Sequence, residues 1–151
     1  MRITADPPVS PSGHTLLELV VVLSLFGLAV AQLLPAAGRQ RNRMAVLGAR
    51  EAVAGLLHRA RGEAVARGGV EVSFLAEPPL VQLVAPGDTL ERVDLQERYG
   101  VTLALSRGRT QARVAFGPLG LGRVASQTLR FQRGGEEVRL VVSALGRVAR
   151  R

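Results

Sequence analysis

Hydrophobic residues dominate one continuous stretch near the start of the chain, Leu16 to Leu34, with a single acid, Glu18, close to its beginning. The 21 residues from His14 to Leu34 would span roughly 31 Å as a helix, which matches the hydrocarbon core of a bilayer. The pattern then changes. Val46, Ala49, Val53, Leu56, Leu57, Ala60 and Ala64 recur at spacings of three and four, while Arg50, Glu51, Arg61 and Glu63 fall mostly on other faces. That periodicity predicts an amphipathic helix over Met44–Arg67. Gly48 and Gly55 each cost it about 1 kcal/mol of propensity and allow close packing. Gly68-Gly69 is its expected stop. If Pro35 only kinks the path, one helix runs from His14 to Arg67, about 80 Å long.

Beyond Gly69 the alternation becomes two-fold. Val70–Ala76 places Val70, Val72 and Phe74 on one face. Leu80–Val84 and Leu90–Leu95 flank a Pro86-Gly87-Asp88 turn, and Thr128–Gln132 and Val138–Ser143 flank Gly134-Gly135 as a hairpin. Val101–Leu105 and Ala112–Phe116 flank polar Ser106–Arg109, and Arg147–Arg150 adds a last short strand. This spacing predicts antiparallel sheet or sandwich. Met1–Gly13, with Pro7, Pro8 and Pro11, reads as a leader without regular structure.

Composition narrows the chemistry. The chain of 151 residues has no cysteine, so neither a disulfide nor a thiolate metal site is available. Every basic residue is arginine and the net charge is +8; past Pro35, nineteen arginines face ten acids. Three readings of that excess stand side by side: nucleic acid or anionic lipid, acidic neighbouring subunits, or a solvated basic surface. Phe26, Phe74, Phe116, Phe131 and Tyr99 are the only aromatics, too few and scattered for a base-stacking platform. The two histidines, His14 and His58, have no metal-ligand spacing with acids, and no serine has a His-acid partner. His58, within the helix, reads as a surface or a hydrogen-bond-satisfied residue. No metal and no cofactor is expected. Gly120-Leu121-Gly122-Arg123-Val124-Ala125 fits a dinucleotide pattern on paper. It precedes a strand rather than a helix, so it reads as a flexible loop. Glu136-Glu137 reads as an exposed hairpin end, not a catalytic pair.

The acid in the apolar run calls for an explanation. A charged side chain at mid-bilayer costs roughly 2.5–3.5 kcal/mol on insertion scales, and Glu18 should cost something of that order. Its natural partner is the α-amino group that cutting after Gly13 would make. A secretory signal is the competing account, with Ala29-Val30-Ala31 as its cleavage site. A plain single-span anchor is another. Both leave Glu18 unexplained.

Gly13-His14-Thr15-Leu16-Leu17-Glu18, followed by the apolar run and Pro35, resembles the prepilin-peptidase motif of type IV pilins and type II secretion pseudopilins. The resemblance implies cleavage after Gly13 by the prepilin peptidase and N-methylation of the new first residue, His14. It also implies pairing of Glu18 with the amine of a neighbouring subunit, and an end of the membrane segment at Pro35. His14 stands where the family usually has phenylalanine. That departure bears on methylation rather than on cleavage, which depends mainly on the glycine. Further on, Val114–Gly120, Thr128–Phe131 and Arg139–Val148 are similar to the GspH/FimT group of minor pseudopilins and minor pilins.

The resemblance implies an α+β, pilin-like fold: a long N-terminal helix, membrane-spanning in its first half, packed on an antiparallel β-sandwich or sheet head. The implied divisions are a leader (1–13), a transmembrane and assembly helix (14–35), an amphipathic continuation (36–69) and a periplasmic head (70–151). The implied function is a minor pseudopilin of a type II secretion pseudopilus, a structural subunit and not an enzyme. Expected partners are the prepilin peptidase, other pseudopilins or pilins, the cytoplasmic membrane and secreted substrate. The expected location is the bacterial inner membrane, single-pass, with the head in the periplasm. Arg39, Arg41 and Arg43 run against that topology, because positive residues favour the cytoplasmic side. The alternative is a FimT-like minor pilin whose C-terminus, through Arg147, Arg150 and Arg151, contacts nucleic acid. Those relatives end in Gly-Arg-x-Arg, whereas this chain reads Gly146-Arg147-Val148-Ala149-Arg150-Arg151. On a strand, Arg147 and Arg150 would then face opposite ways.

Overall fold

A computed structural model of the chain describes residues 15–123 and 126–151. The expected leader, Gly13 and His14 lie outside the described residues. Helix α1 (Leu16–Arg67) is 52 residues long. Thr15 caps it: its Oγ1 accepts the Glu18 amide at 3.2 Å, and its carbonyl accepts the Leu19 amide at 3.2 Å. Thr15-x-x-Glu18 is therefore also a capping-box sequence, with the acid in the first turn where the helix dipole favours negative charge. The backbone stays helical through Pro35 and stops at Arg67. Gly68 follows at φ 81° and Gly69 at φ 145°, conformations that side chains disfavour.

The chain divides into two compact units, Met1–Ala37 and Gly38–Arg151. In the first, the described residues are the apolar start of α1 with Thr15 ahead of it. From Leu16 to Ala31 its side chains are exposed, Leu16 at 81% and Phe26 at 69%. The hydroxyl of Ser24 donates to the Val20 carbonyl at 2.7 Å, which satisfies it within the helix.

The second unit contains the rest of α1 and everything after it. Val46, Ala49, Val53, Leu56, Leu57, Ala60 and Ala64 are all fully buried, so the predicted apolar face is the face that packs. His58 is exposed. Eight strands follow: β1 (Val70–Leu75), β2 (Leu80–Ala85), β3 (Asp88–Asp94), β4 (Thr102–Leu105), β5 (Gln111–Phe116), β6 (Gln127–Arg133), β7 (Glu136–Val142) and β8 (Val148–Arg150). They form two four-stranded sheets, ordered β3-β2-β1-β5 and β4-β6-β7-β8, with every pairing antiparallel. Inward residues of both sheets, among them Phe74, Phe116, Leu129, Phe131 and Leu140, share one apolar core with α1. The hairpins at Pro86–Asp88 and Gly134-Gly135 form as predicted.

Two features depart from the sequence pattern. β4 and β5 are sequence neighbours but belong to different sheets. The Ser106–Gly108 turn between them is held by Arg109, whose guanidinium donates to the Ser106 carbonyl, the Ser106 hydroxyl and Gln127 Oε1. The second departure is a short helix, α2 (Leu95–Tyr99), where strand was expected to reach Leu95. Asp94 Oδ1 caps it by accepting the amides of Gln96 (3.0 Å) and Glu97 (2.9 Å). Gly100, at φ 62°, closes it in the left-handed conformation that favours glycine. The helix brings Tyr99 onto α1 at Gly48, where a Cβ would stand 3.2 Å from the ring. Close packing at Gly48 is thus real, whereas a Cβ at Gly55 would make only an ordinary 3.5 Å contact with the Arg59 guanidinium.

Candidate functional site

Two surfaces carry the residues of interest. The first is the start of α1. Glu18 occupies the third helical position behind Thr15, at the head of an exposed apolar segment. Within its 52 residues α1 includes a stretch long and apolar enough to cross a membrane. Pro35 lies inside the helical backbone, so it does not terminate the helix.

The second surface is the C-terminal sheet. The structure does not gather Arg147, Arg150 and Arg151 into one cluster. Arg150 turns to α1, where its Nε lies 3.0 Å from both carboxylate oxygens of Glu51. Arg50 donates to the same carboxylate from Nη2 at 2.9 Å. Slight burial pushes the Glu51 carboxyl upward. The hydrogen bonds and charges of Arg150 and Arg50 outweigh it and hold the group below its ordinary value. Arg147 sits in the β7–β8 turn, its amide donating to Ser143 Oγ at 3.0 Å. Arg151 exchanges both backbone hydrogen bonds with Arg139, at 2.9 and 3.0 Å.

That exchange reveals a row the sequence concealed. Arg139 on β7 pairs with Arg130 on β6 across the sheet, and with Arg151 on its other side. All three are exposed. Glu137, two residues before Arg139 and on the same face, accepts from Gln132 Nε2 (2.6 Å) and Arg139 Nε (2.7 Å). These hydrogen bonds, with the nearby charges of Arg139 and Arg130, lower its carboxyl from the ordinary value. Glu137 is therefore an ion-paired acid on an open face, not one of a catalytic pair. The charge distribution agrees with the geometry. Residues 1–100 carry ten arginines and ten acids, whereas residues 101–151 carry ten arginines and two glutamates, the whole of the chain's net charge of +8.

Other arginines are tied into the fold. Arg59 holds Glu91 on β3 through two hydrogen bonds of 2.9 and 2.6 Å, and Arg61 lies 5.9 Å from the centroid of the Phe116 ring. Arg133 donates to the Tyr99 carbonyl. Gly120–Arg123 is a loop between β5 and β6, with Gly120 at φ 68° and a bridge from Gly122 to Phe116. Val124 and Ala125 of the dinucleotide-like pattern lie outside the described residues. Among the described residues no group of three or more His or acidic side chains is placed to hold a metal.

Residues 49–146 match the family model described as type II transport protein GspH. Among solved structures, the type IV minor pilin FimU of Pseudomonas aeruginosa is similar to this chain in two crystal forms. One has a TM-score of 0.56 at 20% identity, covering 72% of this chain and 90% of that one. The other has a TM-score of 0.54 at 18% identity, covering 70% and 91%. At these identities the likeness establishes the fold. No curated protein matches the chain.

Proposed function

The chain belongs to the type II transport protein GspH family, and from that membership we propose a specific role: a minor pseudopilin in the pseudopilus of a type II protein secretion system. At the coarser level it is a pilin-like minor pseudopilin, a structural subunit rather than an enzyme, that assembles with other pseudopilins or pilins. Its apolar helix fits a single-pass membrane anchor. The finer reading places the anchor in the bacterial inner membrane and the head in the periplasm. The prepilin peptidase cuts after Gly13 and frees the His14 amine, which is then a substrate for N-methylation.

The observation that carries this reading is the position of Glu18. The carboxylate sits in the first turn of a helix whose following residues are apolar and exposed. A carboxylate and an ammonium 4 Å apart attract by roughly 4 kcal/mol at an effective dielectric of about 20. That is comparable with the roughly 2.5–3.5 kcal/mol needed to place a charge in the bilayer. Glu18 of one subunit therefore accepts the amine of its neighbour as the apolar helix leaves lipid for a bundle of like helices, and the pair sets the register. The span then closes near Pro35, and Arg39, Arg41 and Arg43 lie among headgroups with their stems along the apolar boundary.

The test is N-terminal sequencing of the protein from its native host, alongside a Glu18→Ala variant. The expected chain starts at His14, and the variant is processed but absent from the assembled fibre. A chain that retains its first thirteen residues, or is trimmed near Ala31, refutes the reading. The fold shared with FimU supports a second reading, a minor pilin of a type IV pilus. Neighbouring genes for pilus or competence components, rather than secretion components, would favour it.

A further inference from the structure

We propose that the outer face of β6, β7 and β8, centred on Arg130, Arg139 and Arg151, docks a carboxylate-rich face of a different pilin-like subunit. The partner's class rests on the assembly reading above; the surface itself does not. Arg139 directs its amide and carbonyl toward Arg151, so its pairing with Arg130 is of the non-hydrogen-bonded kind. In such a pair the Cα atoms are only about 4.5 Å apart, and in the hydrogen-bonded pair with Arg151 about 5.5 Å. Three guanidinium groups thus leave three adjacent chain segments side by side. Like charges directly opposite one another on a sheet destabilise it. Glu137 offsets the row at one end, through Arg139; the rest of the repulsion costs folding stability and leaves a surface that a further anion relieves.

The surroundings select the anion. Ala104 lies across from Arg130, and Thr128, Val141 and Ala149 are on the same outer face, so on this side the row rises from a bed of short side chains. Such a bed suits another folded surface. No aromatic side chain of these strands is exposed, because Phe131 points into the core, so bases have nothing to stack on. Glu137 stands beside the row and repels a phosphate backbone, while a protein face can place its carboxylates around it. A second copy does not meet the requirement either, since the remaining hundred residues carry balanced charge and offer no acidic surplus. Arginine suits the task because its planar fork binds carboxylate through two hydrogen bonds.

The experiment uses the full chain in its native host, with a photo-crosslinking residue replacing Ala149. The expected product joins the chain to another pilin-like subunit. In the background Arg130→Gln, Arg139→Gln, Arg151→Gln its yield falls about tenfold, the effect of losing a few partly exposed ion pairs. The same triple variant, purified in detergent, should unfold at an equal or higher temperature, since the repulsion is gone and the one pair lost with it, Arg139 to Glu137, is exposed and weak; a purely structural role predicts the reverse. A nuclease-sensitive adduct in place of the protein one overturns the proposal. Sequencing the N-terminus in the same cells separates the two readings. A processed chain whose crosslink is indifferent to the arginines sinks the docking face and spares the assembly role. An unprocessed chain whose crosslink still needs them sinks the assembly role and spares the docking face.

Discussion

Gly146 is expected to tolerate no side chain, and Gly135 makes the comparison that shows why. Both have positive φ, 80° and 86°. A Cβ at Gly135 would meet nothing within 4 Å, whereas one at Gly146 would lie 2.6 Å from Cε1 of Phe116 and 3.3 Å from Arg61 Nη2. Phe116 is buried and cannot retreat without disturbing the core, and Arg61 covers its ring. Placing alanine in the left-handed region costs about 1–2 kcal/mol at either site. Forcing an atom into a packed core costs typically another 1–3 kcal/mol, and only Gly146 incurs it. Gly146→Ala should therefore lose about 2–5 kcal/mol, a large share of the 5–15 kcal/mol typical of a domain. The assay is chemical denaturation of the full chain in detergent, followed through the sheet signal in circular dichroism. Gly135→Ala should fall short of Gly146→Ala by at least about 1 kcal/mol. Equal losses in the two variants would refute the clash, and with it the close packing of the β7–β8 turn on Phe116.

Leu57→Ala should cost about 2–5 kcal/mol in the same assay, because Leu57 is fully buried between α1 and the sheets and leaves a cavity; a loss under about 1 kcal/mol would mean that this face does not carry the core. Arg150→Gln should lower stability at neutral pH by no more than about 1 kcal/mol, the usual worth of an exposed pair. The sign follows from the lowered Glu51 carboxyl: its contribution is present above the unfolded carboxylate pKa and is lost as pH falls through the folded one. The difference between wild type and Arg150→Gln should close as pH drops below the usual carboxylate range. A difference that widens in acid would contradict the pairing.

Features governed by local rules were legible in the residues. The buried face of α1 follows from the spacing of Val46 through Ala64, the helix stop from Gly68-Gly69, and two hairpins from their glycine turns. α2 was legible too, through Asp94, Glu97 and Gly100, but its first residue, Leu95, continues the apolar pattern of β3 and hides the change of period. The capping role of Thr15 was equally readable; Thr-x-x-Glu serves both as a helix start and as part of the peptidase motif, and the second reading masked the first.

By itself, then, the sequence determined α1, most of the strands, an apolar stretch long enough to span a membrane and the acid at its head, because periodicity and hydropathy act over a few residues. Beyond those two hairpins, the tertiary structure alone decided which strands pair. It sent β4 and β5 to different sheets, gave Arg150 to Glu51, and lined up Arg130, Arg139 and Arg151. Those three are nine and twelve positions apart in sequence, and strand register, a long-range property set by the shared core, is what makes them neighbours.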